Sequence, residues 1–158
     1  MKDGLEPSSV LLCDAYRYWL DRCRDRAMPS RSDIDPVEMV GFLPNVALLD
    51  VKWDPMDFRY RVIGTAIDYH SSATHTGEWV SEIPGRAPPS SVWDNFLRVA
   101  ETGLPSDSAV PYVGPHKDFV KTAQITLPLS YEGQVVDMLL LVVDYIRYKL
   151  PETPDQCR

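Results

Sequence analysis

Cysteine and histidine are scarce in this chain, with three of each in 158 residues. Cys13, Cys23 and Cys157 are too few and too scattered for a disulfide framework or a thiolate zinc site, so reduced thiols are expected. Cys13 and Cys23 stand on one predicted helix, about 15 Å apart at 1.5 Å per residue, beyond the reach of a bridge. Positive charge is also short. Sixteen Lys and Arg face twenty-three Asp and Glu, for a net charge of −7. That balance argues against nucleic acid and against anionic membrane surfaces, both of which need clustered cations. Long apolar runs are missing as well. The longest, Met138 to Val143, falls far below the roughly 20 residues of a membrane span. Met1 to Pro7 has no apolar core of the kind a secretion signal needs. A soluble cytoplasmic protein is the expectation, with no internal repeat and no low-complexity tract.

What the chain does contain is an ordinary globular composition, 44% hydrophobic and 25% charged, long enough for one domain with a real core. Residues 8 to 27 read as an amphipathic helix capped by Ser8 or Ser9 and ended by Pro29. Leu12, Tyr16, Trp19, Cys23 and Ala27 form one stripe. A polar connector, Pro29 to Pro36, leads to a short helical turn through Phe42 with Asp35 as its cap. Asn45 to Val51 and Phe58 to Ile63 read as a hairpin around Asp54 to Asp57.

In the second hairpin strand Phe58, Tyr60 and Val62 share a face by period-two alternation, with Arg59 and Arg61 opposite. Gly64 gives the sharp turn into a short helical stretch from Thr65. Ser90 to Glu101 is a second clear helix with Gly103 just past its end. Three strands follow, at Ser108 to Val113, Phe119 to Leu129 and Gln134 to Ile146. The apolar run in the last one requires cover on both faces. One cover is the Ser90 helix; the other is the N-terminal helix of the same chain or of a second copy.

This order of elements resembles a PAS domain. More narrowly, the chain resembles short stand-alone PAS proteins common in alphaproteobacteria. The matching pieces are Trp19, the Pro29 to Pro36 connector with its Asp33-Ile34-Asp35-Pro36, Leu43-Pro44, Leu48 to Val51, and Phe58 to Thr65. The resemblance covers roughly residues 15 to 147. The resemblance implies an α+β fold: a five-stranded antiparallel sheet with helices on one face and an N-terminal helix extension. Residues 1–28 are expected to form that extension, 29–148 the PAS-like domain and 149–158 a C-terminal tail. It also implies a sensory or interaction module in signalling, and N-terminal helices of PAS proteins often build a homodimer. Leu12, Tyr16 and Trp19 are therefore the candidates for a dimer or partner surface. With about a dozen residues after Ile146, no output domain is expected, and a signal would pass through an unknown protein partner.

The family's chemistries find little support in the residues. A haem ligand belongs on the long helix, and Ser90 to Glu101 has no histidine. Flavin photochemistry needs a cysteine after the second strand, and none lies between Gly64 and Gly103. Haem and flavin are not expected. His70 and His75, five apart, do not share a helix side, and no third ligand completes a metal set with His116, which is expected in a solvent-exposed turn. Asp68, Asp94, Asp137 and Asp144 have no partner base, so a cone-shaped cyclase or isomerase with a pocket carboxylate is the rival reading rather than the main one. A structural adaptor is the third. The expected small-ligand cavity is lined by Leu49, Phe58, Tyr60, Val62, Ile67, His70, Trp93, Phe96 and Leu97, with the Tyr60 hydroxyl as its polar handle; ordinary core packing of the same residues is the alternative.

Overall fold

The computed structural model describes residues 5–112 and 114–147; the predicted tail at 149–158 lies outside them. Helix α1 spans Val10–Cys23, with Ser9 Oγ accepting from the Leu12 N–H at 3.2 Å. It stops four residues short of the predicted end. Arg24 adopts φ 55, a conformation few non-glycine residues take, and the Arg26 side chain returns to the Arg22 carbonyl at 3.0 Å, satisfying a last-turn acceptor. Short 3₁₀ turns follow. Asp33 Oδ2 receives the Ser30 N–H and Oγ–H and the Arg26 guanidinium at 2.8–2.9 Å. These hold its carboxyl well below its usual range, down to about 2, the Ser30 backbone bond acting most strongly. Asp35 caps the turn Pro36–Met39 through the Val37 N–H.

Strands β1 (Val46–Trp53) and β2 (Met56–Ile63) form the first hairpin. Helix α2 (Thr65–His70) and α3 (Ser91–Thr102) come next. Strands β3 (Ser106–Pro111), β4 (Phe119–Leu129) and β5 (Met138–Arg147) complete one antiparallel sheet of order β2-β1-β5-β4-β3. Ser90 Oγ caps α3 through the Trp93 N–H, and Gly103 closes it at φ 65, in the left-handed region glycine favours. Residues 134–137, predicted as strand, instead form the approach to β5.

Register sorts the sheet into two faces. Phe58, Tyr60, Ile63, Ala47, Leu49, Leu139, Leu141 and Thr126 share the inner face, where α3 lies. Leu48, Leu140, Val142, Ile125, Leu127 and Leu129 share the outer face, and α1 packs against β4 and β5. The α1 stripe of Leu12, Ala15, Tyr16, Trp19 and Cys23 is buried, and the Trp19 indole N–H donates to the Pro128 carbonyl at 2.9 Å. The cover for the second face of β5 thus comes from within the chain. Ala27, expected on the stripe, is exposed because the helix ends before it.

Two details differ from the simple strand pattern. Leu48 pairs with Val62 but Leu49 pairs with Tyr60, so Arg61 is an extra residue in a β-bulge. The bulge flips the alternation. Val62 moves to the outer face, where it is 48% exposed, and Ile63 takes the inner position instead. Arg61 pairs with Asp50 at 3.0 Å. Gly64 is extended, with φ −68, rather than sharply turned. It is glycine because its backbone runs against that of residues 44–46: a Cβ would meet the Val46 carbonyl oxygen at 2.8 Å and come closer still to the Pro44 carbonyl.

Candidate functional site

The inner face divides into an apolar centre and an aromatic, polar end. At the centre the Phe58 ring meets Trp93 and Phe96 edge-on, at 5.2 and 5.5 Å between centroids, with Leu49 fully buried beside it on the same face. Ile67 is buried and Leu97 half-buried. Large rings in direct contact fill volume as they line it. Farther along α3, buried Asn95 donates to Thr126 Oγ1 at 2.9 Å and accepts from Ser106 Oγ and Arg98 at 2.7 and 3.0 Å.

The other end is built from α2, the β3–β4 connection and the last turns of β5. The His70 ring stacks on Tyr145 at 3.8 Å, and its Nδ1 lies 2.9 Å from the Tyr112 hydroxyl. Phe119 meets His70 edge-on at 4.4 Å. His116, expected in solvent, is half-buried: its ring stacks on Tyr69 at 4.2 Å, 5.4 Å from His70. Gly114 sits so close to the His70 carbonyl that a Cβ would lie 2.7 Å from that oxygen. Together these contacts clasp α2 to the β3–β4 connection.

Burial lowers the His70 pKa, and the neighbouring His116 and Arg147 act in the same direction, with Asp118 opposing. Burial likewise pushes the Tyr145 phenol upward, against the pull of Arg86.

Between the two regions stands Tyr60. Its hydroxyl accepts from Arg86 at 2.9 Å, and the guanidinium lies 5.3 Å from the ring centroid. Burial raises the Tyr60 pKa and Arg86 moderates the rise. Arg86 is itself half-buried, and among the described residues no carboxylate lies within ion-pair distance of it. On the inner side of β3, Ser108 Oγ is buried with no hydrogen-bond partner among the described residues.

Of the predicted cavity residues, the structure brings Leu49, Phe58, Trp93 and Phe96 together and puts Tyr60 beside them. His70 belongs to the clasp, and Val62 leaves the face altogether. Leu12, Tyr16 and Trp19, expected at a dimer or partner surface, are buried against the chain's own sheet. Sequence reasoning missed Arg86, Tyr112, Phe119 and Tyr145, which come from four separate loops and strands and share no spacing. Among the described residues no three His, Cys, Asp or Glu side chains converge as a metal site, and no helix is long and apolar enough to cross a membrane.

The order of elements separates two fold types. Helices α2 and α3 lie between the hairpin and the last three strands, whereas the rival cone-shaped enzyme would place helices before every strand. A solved fungal LOV domain photoreceptor, 13% identical, is similar over 74% of this chain and 95% of its own, with a TM-score of 0.45. No curated protein matches the chain. A family model described as PAS domain matches residues 8–72, from α1 through the first hairpin and α2. Over those residues, less than half of the chain, the sequence is similar to a PAS domain, and they lead into an antiparallel sheet of order 2-1-5-4-3.

Proposed function

We propose that this chain is a PAS domain acting as a non-catalytic sensory module in signalling, whose input is a small anionic molecule received between Tyr60, Arg86 and Tyr145. The observation that carries the reading is Arg86. A half-buried guanidinium keeps its charge at any physiological pH and is costly without a counter-ion. Arg86 spends one donor on Tyr60 and has no carboxylate partner among the described residues. A ligand carboxylate or phosphate would meet the remaining donors in the bidentate manner guanidinium favours. Tyr145 and His70 offer ring faces for the ligand's body, and Ser108 Oγ offers a spare hydrogen bond. Because the centre of the face is filled, occupancy would part the clasp between α2 and the β3–β4 connection, and that movement would be the signal.

Native and denaturing mass spectra of one preparation test for a retained anion. Thermal midpoints measured with simple carboxylates and phosphates, for the wild type and Arg86→Gln, test its anchor. A retained mass, or a midpoint rise lost in Arg86→Gln, supports the reading. If no anion shifts the wild type, or the variant responds equally, it fails. The second reading is an adaptor whose interior is its own side chains, favoured by the ring contacts of Phe58 with Trp93 and Phe96; equal masses and flat midpoints would select it.

A further inference from the structure

At the opposite end of β5, about 23 Å from the clasp at 3.3 Å per residue, lies an open cleft of about 520 Å³. Its floor is the buried Met28, Ala100 and Val136. Its walls carry three apolar side chains left in solvent: Trp53, Leu104 and Val135, exposed by 42, 48 and 59%. Isolated exposed apolar groups are normal, but three converging over an apolar floor form a patch with a use. The walls are firmly held. The Trp53 indole N–H donates to the Val136 carbonyl at 2.8 Å, and the Val51 N–H to the Asp137 carbonyl at 2.9 Å. These bonds tie the β1–β2 tip to the β4–β5 turn, and Gly103 and Gly133, at φ 65 and 85, bend the chain around the rim.

The charge lining the cleft is acidic. Among the described residues Glu101 is the only charged one lining it. Exposed Asp54 and Glu132 follow or precede the lining residues Trp53 and Gly133. Of the two cations next to lining residues, Arg26 is paired with Asp33, and Lys52 lies over the Trp79 ring, 5.4 Å from its centroid. The C-terminus of α3, which forms one wall, adds the negative end of a helix dipole.

We infer that this cleft docks a partner protein through a short basic amphipathic segment, its apolar side chains seated between Trp53, Leu104 and Val135 and its Lys or Arg side chains meeting the acidic rim. This is a helix-in-groove or extended-peptide mode in which the pocket supplies affinity and the charges supply orientation. It uses no residue of the inner-face site and does not depend on what binds there.

The probes are two peptides of about sixteen residues and identical Leu/Lys composition, one amphipathic and one scrambled, and a third with Glu in place of Lys. The readouts are calorimetry and the indole N–H resonance of Trp53, identified by its loss in Trp53→Phe. The amphipathic basic peptide is expected to bind and to move that resonance. In Leu104→Ser/Val135→Ser, whose changes are at exposed positions and leave net charge unaltered, affinity should fall about tenfold. Unchanged thermal unfolding of the variant would show that the loss is local. Absence of binding, binding that leaves Trp53 unmoved, equal affinity for the scrambled or Glu peptide, or undiminished binding by the double variant would each overturn the inference.

Discussion

The two faces of the sheet are covered in different chemical terms. On the outer face, aliphatic side chains of β1, β4 and β5 and the α1 stripe exclude water, and the Trp19 indole N–H bonds the Pro128 carbonyl across the layer. On the inner face, aromatic rings fill the centre, a four-residue polar network lies beneath α3, and an aromatic clasp closes one end beside Arg86, which has no carboxylate partner among the described residues. Dry aliphatic packing cannot be rearranged without losing most of its energy. Polar and ring contacts near solvent can be exchanged for contacts to a ligand at smaller cost. The outer layer therefore holds the fold, and the inner layer is the one equipped to respond.

The strongest way to break that contrast is Trp19→Ala. Removing a fully buried ring and its hydrogen bond should cost about 3–5 kcal/mol, read by denaturant unfolding. A loss near zero would mean that α1 is not part of the core. Next is Asn95→Ala, which removes the donor to Thr126 and the acceptor shared by Ser106 and Arg98 and should cost about 1–3 kcal/mol by the same measurement.

Titration separates the layers further. Asp33 and His70 both have folded pKa values below their unfolded ones, so in each window the unfolded chain binds more protons and stability falls as pH falls. For Asp33 the stabilisation is complete above its ordinary 3.8 and is lost towards about 2. For His70 the loss begins as pH drops below its ordinary 6.5, and it should reach the clasp first. NMR of the His70 ring with thermal midpoints across pH checks this: His70→Gln should remove the upper phase and keep the acid one.

The smallest effect tests the bulge. Val62→Ser should change stability by no more than about 0.5 kcal/mol. Ile63→Ser, which removes an inward apolar side chain, should cost clearly more. Equal costs would place Val62 back on the inner face.

Much of the fold was legible in the residues themselves. The amphipathic stripe from Leu12 to Cys23, the caps at Ser8 or Ser9 and at Asp35, the glycine stop at Gly103 and the doubly covered run in β5 all depend on neighbours within a turn or a strand pair. Those preferences are local, so the order and kind of the elements follow from the sequence, as does the net acidity of the surface. Three-dimensional packing alone decided the rest. It folded α1 onto its own sheet rather than a second copy's, because that face of β5 lay within reach of the same chain. It placed one extra residue at Arg61 and so exchanged Val62 for Ile63. It required glycine at position 64 for the approach of residues 44–46 rather than for a turn. And it gathered His70, Arg86, Tyr112 and Tyr145 from distant segments, a convergence that long-range contacts create and that no spacing along the chain can encode.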